Sequence, residues 1–514
     1  MTSFRVSKWF LPWYGCVALS LGLLAACPTA HALELTFTNN TGLSNNDVYI
    51  WFQNPLNATF HGTGHHVQSA KSYSLAEIGA GIDLTSFVGG RVFVSLGAPF
   101  PEQTDNARPP QFNNPSPPAV NNSYNNNHQL IGEITLIPSP GDTANISEID
   151  WSSTPVAMRT FDAQGNQLRR IGFADDLNVT EYKNALRALT NGGAVILSGT
   201  NVAGNPPTAT SQTGGSTVHP QNPSPGSEVR ILSPTSNFIL EQNGKQTYPS
   251  FASYVEHIRA THTAGSPIAT LEGRFFSGSA PTYHFTVDSI EAPGASDPSW
   301  SLGKVTLTGT LSDSGTVHTI VIPFESFSDV TIYGGTTGSP VNQGHSTEKG
   351  IGYYLDGVLT DGGANTAFTL PVRDFLAGLN YGYIASTVAN PNDPGKTYGQ
   401  SASQYWGSTN LVTNHSQILK AFSAVQPLHP YYNPWAAIVH EYSHAMAYGF
   451  AYDDVFSKVG LGVVQEQGTP VARLDIVLFP QQTVPNASIP EVNSVLLLSA
   501  AAFGFLYLGR KRRM

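Results

Sequence analysis

The chain has 514 residues, a formal net charge of -10 and only 12% charged residues. Phosphate binding needs clustered Lys and Arg, and such a cluster occurs only at the extreme C-terminus, so nucleic acid is not expected as a partner. The 49 Gly and 36 Pro, with many Asn, Ser and Thr, favour short strands joined by turns. A neutral polymer, bound through hydroxyls, amides and aromatic faces, fits this composition better.

The N-terminus has the layout of a secretory signal peptide. Basic residues precede an apolar run over 17–26, and Ala30-His31-Ala32 follows as a small-residue cleavage site, so we expect cleavage after Ala32. A lipoprotein-type alternative stays open, because Leu24-Ala25-Ala26-Cys27 would leave a lipidated Cys27. Both cysteines lie in this leader, so no disulfide supports the mature fold.

Strands are predicted where apolar and polar residues alternate, or where β-branched and aromatic residues are frequent. They cover residues 33–38, 47–52, 91–96, 129–137, 146–151 and 156–161, and further strands are expected within 273–290 and 303–324. Helices are predicted over 181–190 and 251–260, and loops over 101–127 and 199–227. Short strands at this spacing indicate a mainly β fold of the sandwich or barrel type.

Glu133 and Asp150 form a candidate pair for glycoside cleavage, which needs a proton donor and a second carboxylate. Each lies on a predicted strand, and the residues between them can form a hairpin loop. Carboxylates on the same face of neighbouring strands fall roughly 5–10 Å apart, which covers both glycosidase geometries. The spacing alone does not distinguish this pair from acidic residues on a solvated strand face.

His440-Glu441-Tyr442-Ser443-His444 has the form of a zinc-protease motif. On a helix, the two histidines share a face and bind Zn²⁺, Glu441 polarises water, and Asp453 or Asp454 offers a third ligand. Gly449 and the Tyr- and Phe-rich sequence after it favour a strand or turn over a long helix. The zinc protease is therefore kept as the less favoured alternative.

The C-terminus carries Pro490-Glu491, an apolar stretch over 495–508 and a basic cluster over 510–513. The stretch is short for a stable span, but it can hold the tail in the inner membrane transiently, with the basic cluster in the cytoplasm. The arrangement resembles a PEP-CTERM sorting tail, with Val492 where that motif has Pro. The resemblance implies exosortase-type processing and a periplasmic, cell-surface or extracellular location in a Gram-negative bacterium. A plain C-terminal anchor is the alternative.

A series of motifs occurs in order across residues 33–478. It comprises Arg91 to Pro99, Glu133-Ile134-Thr135, Ala144-Asn145-Ile146-Ser147-Glu148-Ile149-Asp150, Ile231-Leu232-Ser233-Pro234, Tyr248 to Tyr254 and Ala447 to Val455. Together they resemble the family 64 glycoside hydrolases, which are β-1,3-glucanases of the thaumatin-like superfamily. Plant thaumatin-like proteins are disulfide-rich, so the glucanase branch fits this chain better. The segment 261–349 departs from the pattern, which puts activity in doubt more than fold.

The resemblance implies hydrolysis of β-1,3-glucan with inversion and without a cofactor, with Glu133 as general acid and Asp150 as general base. Glu133 must stay protonated, which a partly desolvated setting or a neighbouring negative charge favours. Thr135 shares the strand face of Glu133 and is predicted to bind substrate, as are Asp453 and Asp454, for which a structural role is the slightly favoured alternative. Trp151, on the face opposite Asp150, is predicted to lie in the core.

The fold implied by the family is a thaumatin-like β-sandwich or barrel with an additional smaller mixed α/β domain and a wide cleft between them. The corresponding segments are the signal peptide (1–32), the first part of the sandwich with the carboxylate pair (33–200), a loop (201–228), a mixed insertion region (229–430), the return to the sandwich (431–480) and the tail (481–514). A non-catalytic glucan-binding or matrix protein of this fold is the second alternative function.

Overall fold

The structure is a computed structural model in which Ala32–Met514 forms one compact unit and Met1–His31 another. It describes residues 32–97, 99, 127–149, 151–189, 195–197, 228–234, 248–261, 269–274, 282–291, 303–311, 315–324, 327, 329–334, 353–360, 366–386, 389, 395, 397, 432–444, 446–450, 453 and 460–480. The sorting tail, the leader up to His31 and nearly all of the two predicted loops lie outside these residues.

The described residues are mainly β. Their strands are β1 Leu33–Asn39, β2 Val48–Gln53, β3 Leu56–Phe60, β4 Ser72–Ser74, β5 Ile82–Leu96, β6 Asn127–Leu136, β7 Thr143–Ala144, β8 Trp151–Ser152, β9 Val156–Phe161, β10 Gln167–Gly172, β11 Val195–Leu197, β12 Glu228–Leu232, β13 Ala269–Arg274, β14 Thr282–Glu291, β15 Lys304–Leu311, β16 Val317–Pro323, β17 Tyr353–Leu355, β18 Val358–Thr360, β19 Leu461–Gly462, β20 Gln465–Glu466, β21 Thr469–Pro470 and β22 Arg473–Leu478. Their helices are α1 Leu75–Ile78, α2 Val179–Ala188, α3 Ala252–Thr261, α4 Asp329–Gly334, α5 Thr366–Tyr381 and α6 Pro434–Ser443.

The main sheet is barrel-like and runs in the order β10-β9-β22-β1-β5-β6-β7-β19, with β2 and β3 paired to β5, and β4 to β2. β1 pairs with β22 in parallel, so the first and last described strands are neighbours. The two end strands of this order, β10 and β19, are close in space. Arg169 of β10 donates to the carbonyl of Gly460, next to β19. The predicted mainly β, barrel-type fold is confirmed.

Alternation explains why these segments pair as strands. Leu33 and Leu35 of β1 are buried, whereas Glu34 and Thr36 between them are partly exposed. On β22 the polar residue at the centre, Asp475, is nearly buried and is satisfied by Arg159 and by two threonines of β1. A single hydrophobic cluster of the described residues fills the space behind these strands.

A second sheet, β13-β14-β15-β16-β17-β18, is an antiparallel meander in chain order, and the small sheet β11-β12-β8 connects it to the first region along the chain. The expected helices over 181–190 and 251–260 are confirmed as α2 and α3. None of the helices within the described ranges has the length and apolar character needed to cross a membrane.

Helix α5 is absent from the sequence prediction. Pro371 lies inside it, and proline ordinarily ends a helix because it removes a backbone donor and crowds the preceding turn. Here the burial of large side chains such as Phe375, Leu376 and Leu379 stabilises the helix despite that cost.

The predicted strand over 146–151 is wrong. Instead of a strand, the segment has an isolated bridge between Ser147 and Tyr448, and pairing resumes only at β8. The alternating polar and apolar residues there belong to a segment that passes beside strand β6 and bonds to Tyr448 on its other side. A one-dimensional pattern does not distinguish such a crossing from a strand.

Candidate active site

Glu133 lies on β6, where the register of the sheet places it opposite Arg91 of β5. Residues directly opposite in an antiparallel pair project from the same face, so the two side chains meet. Nε of Arg91 donates to Oε1 of Glu133 at 2.7 Å, and 41% of the Glu133 side chain is exposed. The carboxyl is only partly desolvated, as expected, but its charged neighbour is a cation rather than an anion.

Thr135 lies two residues beyond Glu133 on the same strand and therefore on the same face. Its Oγ1 accepts a hydrogen bond from the backbone N–H of Gly89 at 3.3 Å. A hydroxyl that accepts one hydrogen bond still has its own proton to donate. Glu133 and Thr135 thus form a polar, partly exposed pair on one face of β6 that can contact a sugar hydroxyl.

Gly132 lets a second segment of the chain pass unusually close to β6. A Cβ atom at this position would lie 1.7 Å from the carbonyl oxygen of Asn145, so only glycine fits there. The backbone N–H of Asn145 donates to the Glu133 carbonyl at 2.9 Å, and the Asn145 side chain accepts from the Glu133 N–H at 3.4 Å. The segment that leads towards Asp150 therefore begins its crossing beside Glu133.

Gln129, near the start of β6, binds the same segment further along. Its Oε1 accepts from the N–H of Ser153 at 2.6 Å, and its Nε2 donates to the carbonyl of Leu130 at 3.0 Å. Nε2 also lies 3.4 Å from the carbonyl of Trp151 and 3.5 Å from that of Ser147. This fully buried amide bonds on both sides of position 150. The sequence analysis missed it, because a lone glutamine in a strand carries no motif.

Asp150 itself lies outside the described residues, although Ile149 and Trp151 on either side are described. Trp151 is buried, as expected, and the guanidinium carbon of Arg230 lies 5.5 Å from its ring centroid. Burial lowers the pKa of Arg230 to about 10. The strand β12 that carries Arg230 pairs with β8, which holds the residues immediately after position 150.

A buried group of polar side chains, Glu148, Ser152, Tyr182 and Lys183, lies around the crossing segment. Burial raises the pKa of the Glu148 carboxyl from 4.5 to about 8, against the opposing effects of Lys183, Ser152 and Tyr182. Burial likewise raises the pKa of Tyr182 well above its usual value, and the charge of Glu148 adds to that effect. In the sequence, Glu148 is one residue within a longer motif, and the local pattern does not predict its burial.

Asp453 belongs to a different environment from Glu133. It is fully buried, and its carboxylate accepts from the Tyr381 hydroxyl at 2.6 Å and from the N–H of Gly449 at 2.8 Å. Nε2 of His440 lies 2.5 Å from Oδ2 of Asp453. Burial, and then the charge of Asp453, raises the pKa of Tyr381 well above its usual value, which keeps the phenol a donor. These contacts match the structural alternative for Asp453, while Asp454 lies outside the described residues.

The zinc-protease motif lies at the end of helix α6. Asn433 caps the helix by accepting from the N–H of Ala436, Pro434 occupies its first turn, and it ends at Ser443. His440 is fully buried in the helix, whereas His444 is exposed and adopts a left-handed conformation as the cap. The two imidazoles therefore have different surroundings, and His440 is bonded to Asp453. Among the described residues, no group of three or more His, Cys, Asp or Glu is arranged to hold a metal ion.

No protein-family model matches the sequence, and no curated protein matches it. Solved structures similar to this chain include the family 64 β-1,3-glucanase domain from Clostridium beijerinckii, which is 15% identical, with 88% of this chain and 99% of that chain covered and a TM-score of 0.46. A laminaripentaose-producing β-1,3-glucanase in complex with laminaritetraose is 16% identical, with 89% and 100% covered and a TM-score of 0.47.

A third similar structure is the family 64 laminaripentaose-producing β-1,3-glucanase from Paenibacillus barengoltzii complexed with laminarihexaose. It is 14% identical, with 88% of this chain and 76% of that chain covered and a TM-score of 0.42. These enzymes belong to the family that the sequence motifs resemble.

Proposed function

We propose that this protein hydrolyses β-1,3-glucan with inversion, using Glu133 as general acid and Asp150 as general base. An inverting enzyme protonates the leaving oxygen with one carboxyl group, while the other activates a water on the opposite face of the sugar. The Glu133 side chain is partly exposed on one face of strand β6, so a polymer can reach it. Thr135, on the same face, is assigned to a sugar hydroxyl.

The observation that carries this proposal is the close passage of the chain before Asp150 along the strand that holds Glu133. Asn145 bonds to the backbone of Glu133, and Gly132 has no side chain in the way. Gln129 of the same strand bonds to residues on both sides of position 150. One strand therefore organises both sequence motifs that contain the two carboxyl groups.

The test is incubation of the purified mature protein with laminarin or insoluble curdlan, with the products separated by size and their anomeric form followed by NMR. We expect oligosaccharides released with inverted configuration. Glu133→Gln and Asp150→Asn are each expected to lower turnover by roughly 10²- to 10⁴-fold with no change in thermal unfolding. Full activity in either variant contradicts the role assigned to that residue.

A non-catalytic glucan-binding protein is the second candidate, and the Arg91–Glu133 ion pair favours it. In this pair the carboxyl serves as an acceptor, whereas a general acid must present a proton to the leaving oxygen. This candidate predicts that the wild-type protein sediments with curdlan but releases no sugar at high protein concentration. Release of sugar that depends on Glu133 rejects it.

We also propose that the protein is exported and retained at the cell surface by its C-terminal tail, as the signal-peptide layout and the sorting-tail resemblance suggest. The expected mature N-terminus is Leu33, which intact-mass and peptide mass spectrometry can detect. A lipid-modified Cys27 at the N-terminus contradicts the proposed cleavage site. Loss of residues 490–514 from the surface form supports tail processing, and their retention favours a plain anchor.

A further inference from the structure

The buried amide of Gln129 lies where the backbone on both sides of the proposed base converges on strand β6. We propose that Gln129 is a positioning residue for Asp150, holding the segment 147–153 in register with the strand that carries Glu133. This inference rests on the proposed hydrolysis and adds a residue to it. The juxtaposition that carries it is one side chain whose Oε1 accepts from the Ser153 N–H at 2.6 Å and whose Nε2 lies 3.4 Å from the carbonyl of Trp151 and 3.5 Å from that of Ser147.

The amide uses both of its ends on this segment. Its oxygen accepts the short bond from the Ser153 N–H, and its nitrogen faces the carbonyls of Ser147 and Trp151. One N–H of Nε2 donates to the carbonyl of Leu130 on β6, which leaves one N–H for the carbonyls of Ser147 and Trp151 and for Oε1 of Glu148, also 3.5 Å away. A carboxylate has no donor and a hydroxyl has only one, so neither supplies the acceptor and the two donors of this amide. Gln129 is fully buried, so a lost partner cannot be replaced by bulk water.

The segment needs such a tether because it is not a strand. Between β7 and β8 the segment has one described backbone bond to β6, from Asn145 to Glu133, so no continuous ladder joins the two. On its other side, Ile146 and Glu148 bond to the backbone of Tyr448, and the Trp435 indole donates to the Glu148 carbonyl. Gly132 and Asn145 fix the start of the crossing, and Gln129 fixes its far end. The same strand continues to Glu133, so Gln129 links the positions of the acid and the base.

Inverting catalysis is sensitive to this distance. The two carboxyl groups stand about 6.5–9.5 Å apart to admit one water, and a displacement of about 1 Å can cost roughly 100-fold in rate. Loss of the tether should therefore lower kcat through the attack of water. It should leave sugar binding, and hence KM, close to the wild-type value.

The first test uses Gln129→Met, which keeps the length of the side chain and removes the amide. We expect kcat to fall by roughly 100-fold and KM to change by less than about twofold. The matched control is Asn380→Leu. Asn380 is also a buried amide, but its bonds are to the carbonyls of Ile332 and Leu376 and to the side chain of Asn433, and none of them is to the crossing segment. An equal loss of kcat in both variants at the same folded fraction overturns the positioning role.

A second readout separates the base from the acid. A dinitrophenyl laminari-oligosaccharide has a leaving group that needs little protonation, so it should largely restore turnover to Glu133→Gln. Gln129→Met should keep its deficit on this substrate, as Asp150→Asn does, because the activation of water is impaired. If the good leaving group restores Gln129→Met as well, the proposal is wrong.

Gln129→Glu gives a third readout. A protonated carboxyl can still accept from Ser153 and donate to one carbonyl, whereas the ionised form faces carbonyl oxygens with a negative charge. The Glu148 carboxyl lies 3.5 Å from Nε2 of Gln129, and Lys183 and Tyr182 interact with Glu148, so these groups face the new carboxyl. We expect kcat close to wild type in acid and a loss of kcat as pH rises, at pH values where the wild type remains active. The same loss in Gln129→Glu combined with Glu148→Gln separates this effect from the titration of Glu148. A pH profile identical to that of the wild type overturns the proposal.

These experiments distinguish the two levels of inference. If Asp150→Asn is inactive and Gln129→Met is fully active, hydrolysis stands and only the positioning role fails. If the wild-type protein releases no sugar from any β-1,3-glucan, the proposed function fails, and the positioning role fails with it.

Discussion

Glu133 and Asp453 are carboxylates in two regions of the molecule that the same sequence resemblance brought forward. Glu133 lies on strand β6 with its side chain partly exposed, and its carboxyl group forms an ion pair with Arg91. Asp453 lies in the core between helices α5 and α6, where the Tyr381 hydroxyl, the His440 imidazole and the Gly449 N–H converge on it.

The difference shows how the surroundings of a carboxylate decide its role. Asp453 is fully buried and accepts hydrogen bonds from the Tyr381 hydroxyl and the Gly449 N–H, so it fixes the chain around it and is shielded from a substrate. A carboxylate with one charged partner and an open side can reach a ligand. These contacts favour an architectural role for Asp453, and the chemistry proposed for Glu133 stays a prediction.

The largest effect is expected for Asp453→Asn, which tests whether Asp453 has a structural role. The amide nitrogen of asparagine cannot accept the bond that Oδ1 takes from the Tyr381 hydroxyl or the bond that Oδ2 takes from the Gly449 N–H, and Nε2 of His440 also lies against Oδ2. We expect a loss of about 3–5 kcal/mol in the free energy of unfolding, measured by urea denaturation, while the activity of the remaining folded protein persists. A fully stable variant that has lost only activity would return Asp453 to the substrate site.

Glu148 sharpens the comparison, because it is a buried carboxyl whose burial raises its pKa to about 8. The unfolded chain loses this proton near pH 4.5, whereas the folded protein keeps it until about pH 8. The folded state therefore binds more protons in that window, and the free energy of unfolding falls as pH rises through it.

Glu148→Gln should remove this slope, with a difference from wild type on the order of a few kcal/mol between pH 5 and pH 8. Urea denaturation at several pH values measures it. Glu441→Gln is the control, since Glu441 is exposed on helix α6 and its variant should retain the wild-type slope. An unchanged slope in Glu148→Gln would show that the pKa of Glu148 is not raised.

Thr135→Val tests whether the partly exposed face that carries Glu133 binds sugar, and its expected effect is smaller. The hydroxyl is proposed to bind sugar in ground state and transition state alike, so its loss should raise KM by about 2- to 10-fold at nearly constant kcat. Thr85→Val, at an exposed position elsewhere on β5, is the matched control. A KM equal to that of the control would remove Thr135 from the binding surface.

His444→Asn has the smallest expected effect. His444 is exposed, and asparagine tolerates its left-handed conformation. The free energy of unfolding, and the activation free energy obtained from the glucanase rate, should each change by less than about 0.5 kcal/mol. The zinc-protease alternative predicts the opposite, namely loss of bound zinc by elemental analysis and loss of chelator-sensitive casein cleavage. Either loss would overturn the assignment of His440 to the core.

Much of the first region was predictable from the sequence. The alternating segments at β1, β2, β6 and β9 form strands, as predicted. Glu133 and Thr135, two residues apart on β6, lie on the same face of that strand, also as predicted. The burial of Trp151 followed from the same rule. These predictions succeed because the pattern of one strand already encodes which face meets the core.

The rest depended on partners far away in the chain. The segment 146–149 alternates like a strand but contacts Tyr448 instead of a ladder, and the helix at 366–381 forms in spite of Pro371. The burial of Glu148 against Lys183 and the convergence of Tyr381 and His440 on Asp453 likewise join distant positions.

The sequence by itself determined that this is an alternating, mainly β chain with Glu133 and Thr135 on the same face of one strand. Only the tertiary structure decided which acidic groups are accessible, because burial and hydrogen-bond saturation arise from contacts between segments that no local pattern records. The amide of Gln129 illustrates this. Its role depends on a backbone segment about twenty residues later in the chain, which passes close enough to bond only because position 132 has no side chain.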